Sequence, residues 1–170
     1  MAQHLASDQI AKRNANLMEG KYLSFSMDQE EYGIGILTVK EIIGMMRITP
    51  VPQTPDYVKG VINLRGKVIA VIDLRFRFGM NSKAYTERTC IIVVEIEHDS
   101  RTLQIGIVVD SVSEVLNIKG SDIEETPEFG TTLNTDYILG MAKTSGSLKI
   151  LLDIDQILCS DGLKMMDEVA

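Results

Sequence analysis

An enzyme site needs several convergent groups, and the residues of this 170-residue chain that could supply them are few and scattered. His4 and His98 sit in a polar N-terminal stretch and beside an Asp-Ser turn, settings where solvated residues are common. Cys90 and Cys159 stand 69 positions apart without CxxC spacing, so both read as buried, reduced thiols and neither as a zinc ligand or redox partner. Asp73 and Asp153 are a candidate carboxylate pair, yet each closes an apolar run, where an aspartate ordinarily accepts backbone donors in a turn. Gly33-Ile34-Gly35 lacks the third glycine of a dinucleotide fingerprint, and there is no Walker lysine and no Gly-x-Ser-x-Gly elbow. The expectation is a protein that is not an enzyme, with no catalytic residues, no metal and no cofactor.

Charge narrows the partners. A net charge of −7 and a pI near 4.8 repel phosphate backbones and anionic headgroups, which argues against nucleic acid or a membrane surface as ligand. The longest apolar run, Val68 to Ile72, is far short of the roughly 20 residues that span a bilayer. Residues 1–20 lack the apolar core of a secretory signal and are expected to form a loose tail or a frayed helix, so a cytoplasmic location follows.

From Tyr22 onward, short β-branched and aromatic runs alternate with Gly, Asp, Asn and Pro, the pattern of an all-β chain. Expected strands include Tyr22–Met27, Tyr32–Leu37, Val68–Leu74, Cys90–Ile96, Leu103–Val109 and Leu148–Leu152. Hairpin turns are expected at Asp28-Gln29-Glu30, Arg65-Gly66, His98-Asp99-Ser100 and Ser145-Gly146. Apolar residues at 154, 157 and 158 predict a short amphipathic helix over 153–159.

The chain repeats itself. Asp56-Tyr57-Val58-Lys59-Gly60 through Gly66 to Val71-Ile72-Asp73-Leu74 matches Asp136-Tyr137-Ile138-Leu139-Gly140 through Gly146 to Leu151-Leu152-Asp153-Ile154 at a constant offset of 80. Upstream, Ile34-Gly35-Ile36 leading to Val39-Lys40-Glu41-Ile42-Ile43 echoes Ile105-Gly106-Ile107 leading to Val112-Ser113-Glu114-Val115-Leu116, with two extra residues in the second copy. Each Val-x-Glu segment is expected to form one helical turn. A repeat of this length suits a small barrel, giving a first β-barrel subdomain over 21–85 and a second, with the C-terminal helix, over 86–165. Two such barrels about a pseudo-twofold axis leave a groove between them.

Features shared by both copies belong to the fold, and features of one copy are free for a task. Asn63 and Arg65 in the first hairpin face Lys143 and Ser145 in the second, so they break the symmetry. Arg65 is either an interface residue that forks onto a partner's carboxylate or a solvated turn arginine. Glu41 and Glu114 recur, which favours a structural role at least equally, and Val39, Cys90 and Val115 read first as core. Phe129 is a barrel plug or an exposed anchor.

The segment Gly60-Val61-Ile62-Asn63-Leu64-Arg65-Gly66 through Val71-Ile72-Asp73-Leu74-Arg75 resembles the signature of the CheW family of chemotaxis coupling proteins. Tyr32-Gly33-Ile34, Gly106-Ile107-Val108-Val109-Asp110 and Thr126-Pro127-Glu128-Phe129 fall where that family has them, and the resemblance covers about residues 20–165. Ala70 departs from it, standing where the family very often has proline. The resemblance implies two five-stranded SH3-like barrels. It further implies an adapter, monomeric when free, that joins the regulatory domain of the histidine kinase CheA to the cytoplasmic tips of methyl-accepting chemoreceptors in membrane-associated arrays. Carried over by motif, Val39, Glu41, Asn63, Arg65, Cys90 and Val115 would meet the receptor, and Ile36, Gly60, Val112 and Phe129 the kinase. An enzyme or small-molecule sensor using the groove as a pocket is the competing class, and a paralogue serving another kinase pathway is a third.

Overall fold

Residues with two heavy atoms on Cβ, or with rings, prefer a pleated, half-buried surface, and the runs that carry them form strands throughout this chain. The computed structural model describes residues 18–126 and 137–159, the last of these in backbone only. Among them are eleven strands: β1 (Gly20–Met27), β2 (Glu30–Gly35), β3 (Val39–Gly44), β4 (Val58–Leu64), β5 (Lys67–Asp73), β6 (Cys90–His98), β7 (Arg101–Val109), β8 (Ser111–Ile118), β9 (Ile123–Glu124), β10 (Ile138–Thr144) and β11 (Ser147–Leu152). One short helix follows the last strand of each copy, α1 (Leu74–Arg77) after β5 and α2 (Ile154–Cys159) after β11. All four expected turns are present, and Arg65-Gly66, Asp99-Ser100 and Ser145-Gly146 each have two positive φ angles in succession. That geometry matches the right-handed twist of the strands they join.

Two elements differ from expectation. The Val-x-Glu segments are not helical turns: Val39–Ile43 lies within β3 and Val112–Leu116 within β8. Positions in β3 alternate between half-buried and exposed with the strand period of two, and β8 pairs along its length with β1, which outweighs the local helical option. The expected strand over Tyr32–Leu37 stops at Gly35, and Ile36–Thr38 forms a 3-10 turn in which Thr38 Oγ1 donates to the Gly35 carbonyl at 2.7 Å.

The strands form two sheets, ordered β8-β1-β2-β11-β10-β9 and β3-β6-β7-β5-β4. The division of subdomains at residues 85 and 86 is therefore not where the sheets divide. Each copy sends its first hairpin to the other copy: β1–β2 joins β8, β10 and β11, while β6–β7 joins β3, β4 and β5. The exchange is reciprocal in detail. β1 pairs antiparallel with β8 as β6 does with β3, each with one bulge, and β2 pairs parallel with β11 as β7 does with β5.

This register corrects the upstream alignment of the repeat. Gly33, not Gly35, is the counterpart of Gly106: a Cβ on Gly33 would meet Leu151 and Tyr22, and one on Gly106 would meet Val71 and Ile91. Position 33 to 44 then matches 106 to 117 without a gap, and the second copy's extra residues lengthen the β6–β7 hairpin.

Three apolar clusters hold the assembly. Ile62, Ile69, Val71, Ile91, Val93 and Val108 fill the five-stranded sheet, and Tyr22, Ile118, Ile123, Ala142 and Leu151 fill the other. The largest cluster lies between the sheets, where Leu23, Phe25, Met27 and Ile34 from one meet Ile72, Ile92, Val94, Ile105 and Ile107 from the other, with Ile154, Ile157 and Leu158 of α2 closing it. Each fully buried side chain of this kind contributes about 1.5–3 kcal/mol, so the shared core binds the two sheets into one unit.

Candidate interaction surfaces

The β4–β5 turn shows how local chemistry presents a cation. Asn63 Oδ1 accepts from the Gly66 N–H at 2.9 Å and holds the turn, while Arg65 projects with 71% of its side chain exposed and donates to the Glu41 carboxylate on β3. Asn63, Arg65 and Glu41 thus form one surface feature of the five-stranded sheet. In the second copy the matching end of the sheet carries a Lys143–Glu124 pair, with the cation moved onto the strand.

Val39 and Cys90 are half-buried and pack on the core between the sheets. Burial pushes the Cys90 thiol up, partly offset by a hydrogen bond from the Val112 N–H, so it is a thiol that packs and not a ready nucleophile. That contact joins residues assigned to different partners: Cys90 to the receptor set, Val112 to the kinase set. Val115 is 52% exposed on β8, in the other sheet, opposite Leu23.

Ile36 is half-buried in the 3-10 turn, against the shared core. Gly60 is buried at a bulge with φ of 140°, where a Cβ would stand 2.0 Å from the Thr49 carbonyl oxygen. Its role is to let two backbones meet. Phe129 lies outside the described residues.

Of the exposed apolar side chains only Val115 was singled out in the sequence, and the structure pairs four of them by symmetry. Ile42 on β3 matches Val115 on β8, and Val68 on β5 matches Leu148 on β11, all at least 45% exposed. Leu37, at the crossing from one sheet to the other, is 98% exposed. Repeat comparison run on positions rather than on motifs would have found the first two pairs.

The largest omission is Arg75. It is 4% exposed, donates to Asp28 in the β1–β2 turn and to Asp110 where the chain passes from β7 to β8, and its own N–H caps onto Asp73 Oδ1 at 3.0 Å. The Asp28 N–H closes the ring onto Asp110 Oδ2 at 2.7 Å. Hydrogen bonding to Asp110 and Asp28 outweighs burial and raises the guanidinium further above its ordinary range. Burial pushes Asp110 up, but Arg75 and the Asp28 N–H outweigh it and hold the carboxyl below the usual range. Asp73 is raised by burial, only partly offset by the Arg75 N–H. The Asp73 and Asp153 carboxylates both accept backbone donors, Asp153 from Gln156 at 3.3 Å, as turn aspartates do. The signal for Arg75 was available, since the residue 80 positions on is Asp155.

A second ion pair joins Lys149 on β11 to Glu31 on β2 at 2.7 Å, with Lys149 8% exposed and also donating to Thr144 Oγ1 at 3.0 Å. Among the described residues no group of three or more His, Cys, Asp or Glu is placed to hold a metal, and no helix is long and apolar enough to cross a membrane.

The geometry is thus one of surfaces. Comparison with known proteins agrees: the model of the CheW-like domain matches residues 21–161. A chemotaxis protein CheW of Klebsiella aerogenes is 38% identical over 161 residues, covering 95% of both chains. Another, of Rhizobium meliloti, is 34% identical over 139 residues, covering 82% of this chain and 87% of the relative. A solved structure of the scaffolding protein TtCheW from Thermoanaerobacter tengcongensis superposes with a TM-score of 0.73 at 37% identity, over 85% of this chain and 96% of that one.

Proposed function

The chain belongs to the CheW-like domain family of chemotaxis adapters, and on that premise we propose that it couples chemoreceptors to a CheA-type histidine kinase, without chemistry of its own, from the cytoplasmic side of the membrane. The observation that carries this reading is the family match across nearly the whole chain together with a surface built of exposed ion pairs and apolar side chains.

A receptor tip in the form of a helical hairpin would lay its apolar face against Val39, Cys90 and Val115, with Arg65 fixing register by a charge-assisted hydrogen bond. Glu41 holds the guanidinium in place before the partner arrives, which lowers the ordering cost of binding. The kinase regulatory domain would use Ile36, Gly60, Val112 and Phe129. Signalling then needs only differential binding: a ternary complex favours one kinase state over another without any bond being made or broken here.

Co-elution of the purified chain with a kinase regulatory domain and a receptor cytoplasmic tip tests the proposal. A ternary complex is expected, and a chain that retains neither partner at micromolar concentration overturns it.

A further inference from the structure

We propose that Glu31 on the β1–β2 hairpin, through its pairing with Lys149, selects which sheet that hairpin joins. The inference goes beyond the adapter reading and does not depend on it.

The two copies offer the hairpin two similar docking places. β11, which it uses, and β5, which follows it in its own copy, each take one parallel neighbour, and each pairs with a preceding strand through the same bulge, at Ile138/Gly140 and Val58/Gly60. Backbone hydrogen bonding does not distinguish them, and both present buried apolar residues. Side-chain charge does.

In the observed pairing Glu31 lies opposite Lys149, whose counterpart on β5 is Ile69, 1% exposed. A hairpin docked on β5 would set the Glu31 carboxylate against isoleucine. It would also leave Lys149 facing the other hairpin, where Gln104 stands in place of Glu31. The hairpin tip adds no second criterion, because Asp28 accepts from Arg75 while its counterpart Glu97 lies by Asp155, and exchanging the hairpins would again leave one acid facing each. The choice therefore rests on Glu31 and Lys149, both of which are mismatched in the local pairing. Buried ion pairs add little net stability against an apolar alternative, but leaving one partner uncompensated is costly, so their effect falls on the wrong structure.

A competition between disulfides reads the choice. The parallel register that sets Glu31 opposite Lys149 sets Glu30 beside Leu148, whereas local pairing would set it beside Val68. In a full-length chain with Cys90 and Cys159 replaced by serine, Glu30→Cys, Val68→Cys and Leu148→Cys are combined. The protein is refolded at high dilution in a thiol-disulfide buffer, and the monomer is mapped by peptide mass spectrometry. The parent is expected to link 30 to 148. Adding Glu31→Gln and Lys149→Met should lower the ratio of the 30–148 to the 30–68 link by about tenfold or more, the effect of ~1.4 kcal/mol. Exchanging the charges, Glu31→Lys with Lys149→Glu, should restore the parent ratio, while Glu31→Lys alone should lower it. Equal ratios in the single and exchanged variants, or an unchanged ratio in the neutral one, would overturn the proposal. The single and exchanged variants decide it even if the neutral chain does not fold.

Discussion

Arg65 and Glu41, 24 positions apart in sequence, meet as an exposed ion pair where the tip of the β4–β5 hairpin reaches the bulged edge strand β3. The pair is too solvated to matter for stability, since exposed pairs contribute about 0–1 kcal/mol. On the proposed function its role is in recognition. Arg65→Glu is expected to leave the melting temperature within a few degrees of the parent while weakening receptor-tip binding by about 30-fold or more, the usual cost of a central interface arginine. Isothermal titration with a receptor tip measures the second and calorimetry the first. Unchanged receptor affinity in a folded Arg65→Glu chain would remove Arg65 from the interface.

Arg75 behaves in the opposite way. Arg75→Met keeps the length of the side chain but leaves Asp110 and Asp28 facing each other with no cation between them. Discounted for the partial exposure of Asp28, the loss is expected to be about 2–3 kcal/mol in urea unfolding. Further replacement of Asp28 and Asp110 by asparagine should recover part of it.

Acid titration separates two neighbouring carboxylates. Asp110, lowered in the fold, contributes stability that is present above the ordinary aspartate value of about 3.9 and is lost as pH falls through its folded value. Asp73, raised by burial, carries a cost above its folded value that is relieved as pH falls. Asp110→Asn should therefore lower the urea midpoint at pH 7 and converge on the parent at low pH. Asp73→Asn, which keeps a capping oxygen, should raise the midpoint at pH 7 and lose that advantage near pH 4.

Gly60 tests whether a motif glycine is there for its backbone. Gly60→Ala must move the Thr49 carbonyl, because the added carbon would overlap it and the φ of 140° disfavours any side chain. A loss of about 2 kcal/mol or more is expected from denaturation, whereas Gly66→Ala, with open space around its Cβ, should cost less. Comparable losses at both sites would mean that turn conformation, not the close approach at Gly60, is what matters.

The strands and turns were legible because period-two alternation and Gly, Asp and Asn punctuation are local properties. The duplication was legible for the same reason, and with it the counterparts of Asn63 and Arg65. What stayed hidden is the pairing between copies. β1–β2 fits either sheet by its apolar pattern, so the boundary at residue 85 followed from chain order alone. The Glu41–Arg65 contact was also invisible, because it joins residues 24 positions apart on strands whose register no composition signals. Val39–Ile43 read as a helical turn since a five-residue segment satisfies both periods. Arg75 sat inside the recognised signature and was passed over as part of a motif, although its replacement by Asp155 in the second copy marks it as a residue with a task.

The reciprocal hairpin exchange has an evolutionary corollary. When repeats sit side by side, either one can be deleted or drift, and the other still folds. Here, removing either half takes strands from both sheets at once, so the gene duplication cannot be undone by losing a copy, and the two halves must be inherited together.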